Sequence, residues 1–420
     1  MKISLFFSTL FFLSSCSYFI NRLDTNLIEK KDYQKIIPPV PTYCPLSVKP
    51  THQLVGSNDT SHGLFIEFIK SHGQGLDFSD KLVLFTLIQV ATRPDQSSPT
   101  ARFQIVVNFK NKTQYFDFFS EESTDQYPLI FGLDWIIKRF SQKKTLESYA
   151  QILDEKFPKK LRVGKNFEAF LKSNQEELKS HPILGPYYLR ANETLQENER
   201  IPEFSFKKII ALYRKKEKNQ KIIVNTSLTP FHSKTGEKGA CNYDFNLYDN
   251  SIFLIDKTLP VANLFGLAYQ TEAFMAATSQ RVKVIDAIDG MPLFKGESKV
   301  RISAICIIER DADKIWLYSN LSRDPGQHLF HLIRYGLGQT RSIAEVDKLI
   351  RHSRHLFLSD PVRLIIESSR SHPDQIENLL KLNLPIYNSD KLGNIWGYAQ
   401  YPQGNRFVID DRNGGYFLCK

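Results

Sequence analysis

The chain is poor in the residues that most often announce chemistry. Only 5 Cys, 3 Met and 3 Trp are spread over 420 residues. There is no H-E-x-x-H, no G-x-S-x-G, no Walker loop and no G-x-G-x-x-G after a strand. Those absences exclude a zincin, an α/β-hydrolase elbow and the common nucleotide cradles. None of the cysteine spacings has the form of a zinc knuckle. Beyond the N-terminus no apolar run reaches the ~18 residues a spanning helix needs. Acidic residues are also in deficit, 45 Asp+Glu against 55 Lys+Arg, for a formal charge of +10. That surplus suits anionic lipid or envelope polymers and says nothing about fold. Apolar residues make up 42% and aromatics 12% of the chain, enough to build cores and to argue against general disorder.

The one unusual apolar run is at the start, MKISLFFSTLFFLSSCS. Lys2 gives a positive end, and Ile3 to Leu13 form the apolar stretch. As a helix it rises only about 16 Å against a bilayer core of about 30 Å, so it reads as an export signal. Leu13-Ser14-Ser15-Cys16 resembles the lipobox of bacterial lipoproteins, where an apolar and two small residues precede the lipidated cysteine. The resemblance covers residues 1–17. It implies cleavage before Cys16, a diacylglycerol on the Cys16 thiol and stable anchoring to the envelope. Ser17 in place of Asp implies the outer membrane in Gram-negative members of that family. Residues 16–43 then read as a tether, with Pro38, Pro39, Pro41 and Pro45 favouring an extended spacer.

Removing the lipidated cysteine leaves Cys44, Cys241, Cys306 and Cys419, which allow three pairings in an oxidising compartment. Cys44, Cys241 and Cys419 lie near element ends and suit bridging. Cys306, inside ISAICII, reads as a small buried hydrophobe.

The fold expected is α+β in successive segments. A mixed domain spans 44–215. In it DKLVLFTLIQVAT (80–92) reads as a buried helix capped by Ser79, with a strand as the rival reading, and RFQIVVNF with KTQYFDFF reads as a hairpin about Lys110-Asn111. Helices follow near 127–140, 144–156 and 166–179. The segment 206–221 carries seven Lys or Arg on a short apolar stripe. The short stripe favours a solvated helix end and linker; in the alternative reading Lys207, Lys208, Arg214, Lys215, Lys216 and Lys218 are its candidate contacts for an anionic surface. A β-rich domain spans 220–322, with strands expected at KIIVNTSL, FNLYDNSIFLID, NLFGLAYQTEAF, RVKVIDAI, KVRISAICIIE and KIWLYSN.

A helical segment spans 323–395. Asp324-Pro325 and Asp360-Pro361 each have the form of a cap followed by a first-turn proline. Each opens a pair of expected helices: GQHLFHLIRYGL with IAEVDKLIRHS, then VRLIIESSR with DQIENLLKLNL. Through Pro361, Leu364, His372, Ile376, Leu379, Leu380, Asp390, Gly393 and Asn394 the second unit resembles an ankyrin repeat. The resemblance implies protein binding without catalysis. Short strands are expected over 396–420.

Two motif families invite chemistry. His328-x-x-His331 and His352-x-x-His355 have helical chelating spacing, but the wheel places His331, His352 and His355 on polar faces among Arg351, Arg354 and Lys348. Solvated histidines among arginines are poor ligands, so no metal site is assigned. Ser141-x-x-Lys144, Ser205-x-x-Lys208, Lys234-Thr235-Gly236 and Tyr248-x-Asn250 resemble the motifs of penicillin-recognising enzymes, but their order along the chain differs from that family's. No catalytic residue and no cofactor is therefore assigned, and nucleic acid is excluded as a partner by export. The expected function is a lipid-anchored envelope module that docks a protein or an envelope polymer without catalysis. The alternatives are a ligand-binding lipoprotein with a pocket in the aromatic-rich stretch 103–140, and an envelope hydrolase.

Overall fold

The structure, a computed structural model, describes residues 54–57, 61–122, 125–141, 144–157, 161–232, 238–242, 262–269, 272–299, 303–310, 313–320, 324–359, 362–402, 404–410, 412 and 416–419. The lipobox, the tether, Lys234-Thr235-Gly236 and the expected strand at 245–256 lie outside the described residues.

Strand β1 (Leu54–Ser57) leads into helices α1 (Ser61–His72) and α2 (Phe78–Thr92). Every residue of α2 is buried, as its all-round apolar sequence requires. Its cap is Asp77, not Ser79. Asp77 and Asp80 exchange side chain and backbone in a capping box, and the Ser79 hydroxyl donates to Asp77 Oδ1 at 2.7 Å. After the short α3 (Pro94–Ser97), β2 (Arg102–Phe109) and β3 (Lys112–Phe119) form the expected hairpin. Lys110 and Asn111 turn it with φ of 49° and 64°, the left-handed pair that matches strand twist. Helices α4 (Pro128–Phe140), α5 (Leu146–Lys156) and α7 (Phe206–Lys216) fall where the apolar spacing placed them, whereas the helix expected at 166–179 is broken at Asn174 into α6 (Lys165–Ser173) and a short helix over Gln175–Ser180. Thr145 and Ser205 cap α5 and α7 through their hydroxyls.

Further strands of the two large sheets follow: β4 (Ile223–Asn225), β5 (Thr229–His232), β6 (Lys238–Cys241), β7 (Asn263–Tyr269), β8 (Glu272–Ser279), β9 (Ala304–Arg310) and β10 (Asp313–Asn320). Of the strand expected at 281–288, Arg281 makes an isolated antiparallel bridge with Glu297, and 287–288 pair in a small hairpin across Asp289-Gly290.

Asp324 caps α8 (Pro325–Arg334) with Pro325 in its first turn, and Ser342 caps α9 (Ile343–Arg351), both as expected. The next segment departs from expectation. VRLII is not a helix but β12 (Val362–Ile366), paired antiparallel to β11 (His355–Ser359) and parallel to β13 (Ile386–Asn388). Its period is two. Leu364 and Ile366 pack on one face with Ile376 of α10 (Pro373–Leu380), and Ile365 packs on the other with Leu356 and Leu358. A β-branched run with partners on both faces favours a strand over a helix. The two units of the tail therefore differ in secondary structure. Strands β14 (Asn394–Tyr401), β15 (Gly404–Ile409) and β16 (Tyr416–Cys419) close the chain.

The strands assemble into two large sheets. One runs in the order β16-β1-β7-β8-β2-β3-β4 and the other β15-β14-β10-β9-β6-β5, with every pairing antiparallel. Alternate residues separate the layers. Phe103, Ile105 and Val107 of β2 face α1, α2 and α4 to α7, while Val106 faces the second sheet. Trp316, Tyr318, Trp396 and Tyr398 fill the space between the sheets, and Ile315, Leu317 and Ile395 turn outward against α8 and α9. The result is four layers, helix–sheet–sheet–helix, of α+β class. The expected boundary at 215–220 does not separate two cores, because β7 and β8 sit inside the sheet begun by β1 to β3. Nor do residues 396–420 form a unit of their own, since β14 pairs with β10 and β16 with β1.

Candidate functional site

Buried polar residues gather at one end of the sandwich, where β8 ends, β7 begins and α2 hands over to α3. Gln280, just beyond β8, organises the end. Its Oε1 accepts from the hydroxyls of Ser98 and Thr100, and its Nε2 donates to the carbonyls of Pro94, Asp95 and Phe294 at 2.9, 3.0 and 3.3 Å. One side chain thus ties the loop 94–100 to the sheet. Gly296 keeps the space clear, because a Cβ there would lie 2.8 Å from that of Gln280.

Two residues inward, Thr278 and Asn263 face each other across β8 and β7. The Thr278 and Ser97 hydroxyls are 2.6 Å apart. Asn263 Nδ2 donates to Ser97 Oγ at 2.9 Å and to Gln89 Oε1 at 3.0 Å. Those two donations orient the amide, so Asn263 Oδ1 points elsewhere, and it is buried without a hydrogen-bond partner. The adjoining ion pair, Arg93 with Asp95, is neutral as a unit at 2.9 Å.

On the second sheet the same end carries Asn320 and Asn394, directly opposed across β10 and β14. Asn320 Nδ2 donates to the carbonyl of Ala262, beside the start of β7, at 3.2 Å. The Oδ1 atoms of Asn320 and Asn394 and the hydroxyls of Ser303 and Ser319 are buried without hydrogen-bond partners. Most buried polar atoms in folded proteins are paired, so a concentration of open acceptors at one end marks a place built for something besides stability. The chemistry available is neutral: hydroxyls and carboxamides. Among the described residues no imidazole, amine or carboxylate hydrogen-bonds to the hydroxyls of Ser97 or Thr278.

The residues singled out from sequence go elsewhere. Cys16 and Cys44 lie outside the described residues, and of Cys419 the backbone pairs with Leu54. Cys241 and Cys306 form a disulfide, which corrects the reading of Cys306 as a simple hydrophobe. Antiparallel pairing of β6 with β9 sets the two residues opposite each other, Cα to Cα 4.2 Å. In the basic segment, Arg214 is bound by Asp134, Glu147 and Glu217, and Lys216 by Asp125 and Asp289. Lys207, Lys208, Lys215 and Lys218 remain exposed. Neither S-x-x-K brings its lysine to its serine. Lys144 reaches Asp80 at 2.5 Å while Ser141 lies 3.4 Å from the Tyr149 hydroxyl, and Ser205 donates to Asp154 at 2.7 Å as the cap of α7.

The histidines are not as expected. His328 is buried, and the His331 and His355 rings stack with centroids 3.9 Å apart. His355 is on β11 and not on a helix, since α9 ends at Arg351. Of these four histidines, His352 alone is exposed. Among the described residues no three His, Cys, Asp or Glu side chains converge as a metal site. The aromatic stretch 103–140 is solid: Phe116 packs on Trp135 at 4.7 Å, and a Cβ on Gly132 would meet Phe118 at 2.7 Å.

Motif reading misses Asn263, Thr278 and Gln280 because no short pattern contains them. The available signal was modest: polar residues at the apolar ends of NLFGLAY and EAFMAATSQ.

No family model matches the chain, and no curated protein matches it. Solved structures do share its fold. LmbA2991HD is 8% identical with a TM-score of 0.64, covering 92% of this chain and 100% of that one. A cephalosporin acylase from Bacillus halodurans is 9% identical with a TM-score of 0.58, covering 93% of this chain and 99% of that one. Both likenesses run over nearly the whole of each molecule, so the fold is shared from end to end.

Proposed function

We propose that this chain is an exported, lipid-anchored protein that acts on amide bonds by acyl transfer, with its site at the polar end of the sandwich. The observation that carries this reading is the chain-length likeness to a cephalosporin acylase. Fold alone hosts many functions, so the warrant is one of analogy. The reaction needs a hydroxyl that attacks an acyl carbonyl and a base that takes its proton and passes it to the departing amine, leaving an ester that water then cleaves. A nucleophile whose own freed α-amine serves as base needs no side-chain base. The neutral composition around Ser97 and Thr278 is compatible with that chemistry.

The test is to incubate the purified chain with N-acyl amino acids and cephalosporin side-chain amides, and to examine it by intact mass. Release of amine, together with a self-cut chain whose new N-terminus is Ser, Thr or Cys, is the expected result. An uncut chain that turns nothing over overturns the reading.

One observation favours a second reading, docking without catalysis. The residue opening β7, in the middle of the polar cluster, is Asn263, which carries no nucleophilic oxygen or sulfur. A protein partner or envelope polymer recovered by crosslinking from intact cells, with no turnover, supports that reading. For the anchor, Cys16→Ala is expected to release the protein from membranes and abolish acyl labelling. Unchanged labelling sinks it. The Cys241–Cys306 disulfide supports an oxidising compartment.

A further inference from the structure

Residues 353–392 form an outlying unit, the three-stranded sheet β11-β12-β13 with α10, joined to the sandwich through α8 and through the ion pairs of Arg354 and Glu367 with Asp410 and Arg412. On the α8 side, two contacts lie one helical turn apart. Gln327 stands in for a neighbouring strand: its Oε1 accepts from Phe357 N at 2.7 Å, and its Nε2 donates to Phe357 O at 3.3 Å. Four residues on, His331 of α8 meets His355 of β11, ring centroids 3.9 Å apart and planes 31° from parallel. Both rings are half-buried, and the Nδ1 atom of each is sealed from water without a hydrogen-bond partner.

We propose that the His331–His355 stack is an acid-sensitive latch, which holds the outlying sheet on α8 when neutral and releases it when protonated. A second proton would place two cations in contact. The charged groups around the joint offer no relief. From α8 itself comes His328; from the segment entering β11 come His352 and Arg354; from the C-terminal segment comes Arg412. The two carboxylates close to those arginines, Glu367 and Asp410, are already paired with them. Asp324, at the start of α8, accepts from Gln327 N as the helix cap. Tyr335 packs its ring on His352 at 5.2 Å and brings no charge at neutral pH.

Burial, with His355 beside it, holds His331 well below the ordinary histidine range. Burial, with His352 beside it, holds His355 down to about 4. Once the joint opens, both return toward about 6.5. The open state therefore takes up protons first. The latch is at full strength above about pH 6.5 and weakens as pH falls toward the closed-state value. His355 alone raises the open population about thirtyfold between pH 7.5 and pH 5.

Hydrogen exchange of the full chain, corrected for the intrinsic pH dependence of exchange, tests this. Peptides covering β11 and β12 are expected to lose about thirtyfold or more of their protection at pH 5, while β2 and β8 keep theirs. The double variant His331→Phe, His355→Phe retains a ring stack that cannot titrate, and its protection is expected to be flat with pH. Equal acid loss in the double variant, or none in the wild type, overturns the latch. Should the variant fail to fold, imidazole titration of the wild type by NMR decides. Titration of His331 and His355 below pH 5.5 supports the latch, and titration near 6.5 overturns it.

Discussion

Two regions bury polar groups, and they do so in opposite ways. At the polar end of the sandwich the groups are neutral, and several acceptors are left open. Beneath the outlying sheet they are charged and interlocked. Arg412, fully buried, pairs with Glu367 through two nitrogens and with Asp410 at 2.9 Å, and Arg354 pairs with Asp410 at 2.6 Å. Glu367 also accepts from the backbone N–H groups of Arg354 and Leu392, and Asp410 from that of Ile395. Two cations and two anions thus clamp four chain segments that are distant in sequence. Burial draws Arg354 down to about 10 against the pull of Asp410. Burial raises the Asp410 carboxyl, but Arg354 and Arg412 outweigh it and hold it below its usual range. A buried charge must be matched to exist at all, so this knot specifies one geometry. A buried amide oxygen can stay open at far lower cost, so the neutral end can wait for a ligand.

Breaking the charged knot is expected to have the largest effect on stability. Arg412→Met leaves Glu367 and Asp410 short of a partner in the interior, at a cost of about 3–5 kcal/mol. Chemical denaturation measures it, and a loss under about 1 kcal/mol would show that the knot is not a clamp. The disulfide comes next. The paired change Cys241→Ala, Cys306→Ala removes a cross-link between residues 65 apart and is expected to cost about 2–4 kcal/mol. A melting curve insensitive to reductant argues against the bond.

At the neutral end, Thr278→Val removes the hydroxyl partner of Ser97. It is expected to cost about 1–3 kcal/mol in stability. It should also impair turnover, or binding of an amide ligand, far more than Arg412→Met does at a temperature where both are folded. Equal impairment would erase the functional distinction between the two regions. The smallest effect concerns the exposed lysines. Lys207→Ala with Lys208→Ala should leave the melting temperature unchanged and weaken association with anionic vesicles at low salt. Vesicle binding that does not respond removes the anionic-surface role of that helix.

Much local structure was legible. The alternation of RFQIVVNF and KTQYFDFF marks both strands, and Lys110-Asn111 between them is a turn whose left-handed backbone fits the hairpin. Asp324-Pro325 marks the start of α8 because a carboxylate cap and a first-turn proline answer local needs. VRLII misled for the converse reason: its strand character depends on partners at 355–359 and 386–388. His331 and His355 were placed by a helical wheel that ends before one of them.

What the sequence by itself determined is most of the local elements outside 353–392, the absence of metal and nucleotide motifs, and the expectation of an anchored N-terminus. The tertiary structure alone decided which strands are neighbours. It set residues 263–279 between 54–57 and 102–109, brought Cys241 opposite Cys306, and collected Asn263, Thr278, Gln280, Asn320 and Asn394 at one end. The physical reason is range. Caps, turns and side-chain periodicity are settled within a few residues, whereas sheet order and the site built on it arise from pairings far apart in the chain, for which a single sequence carries no local signal.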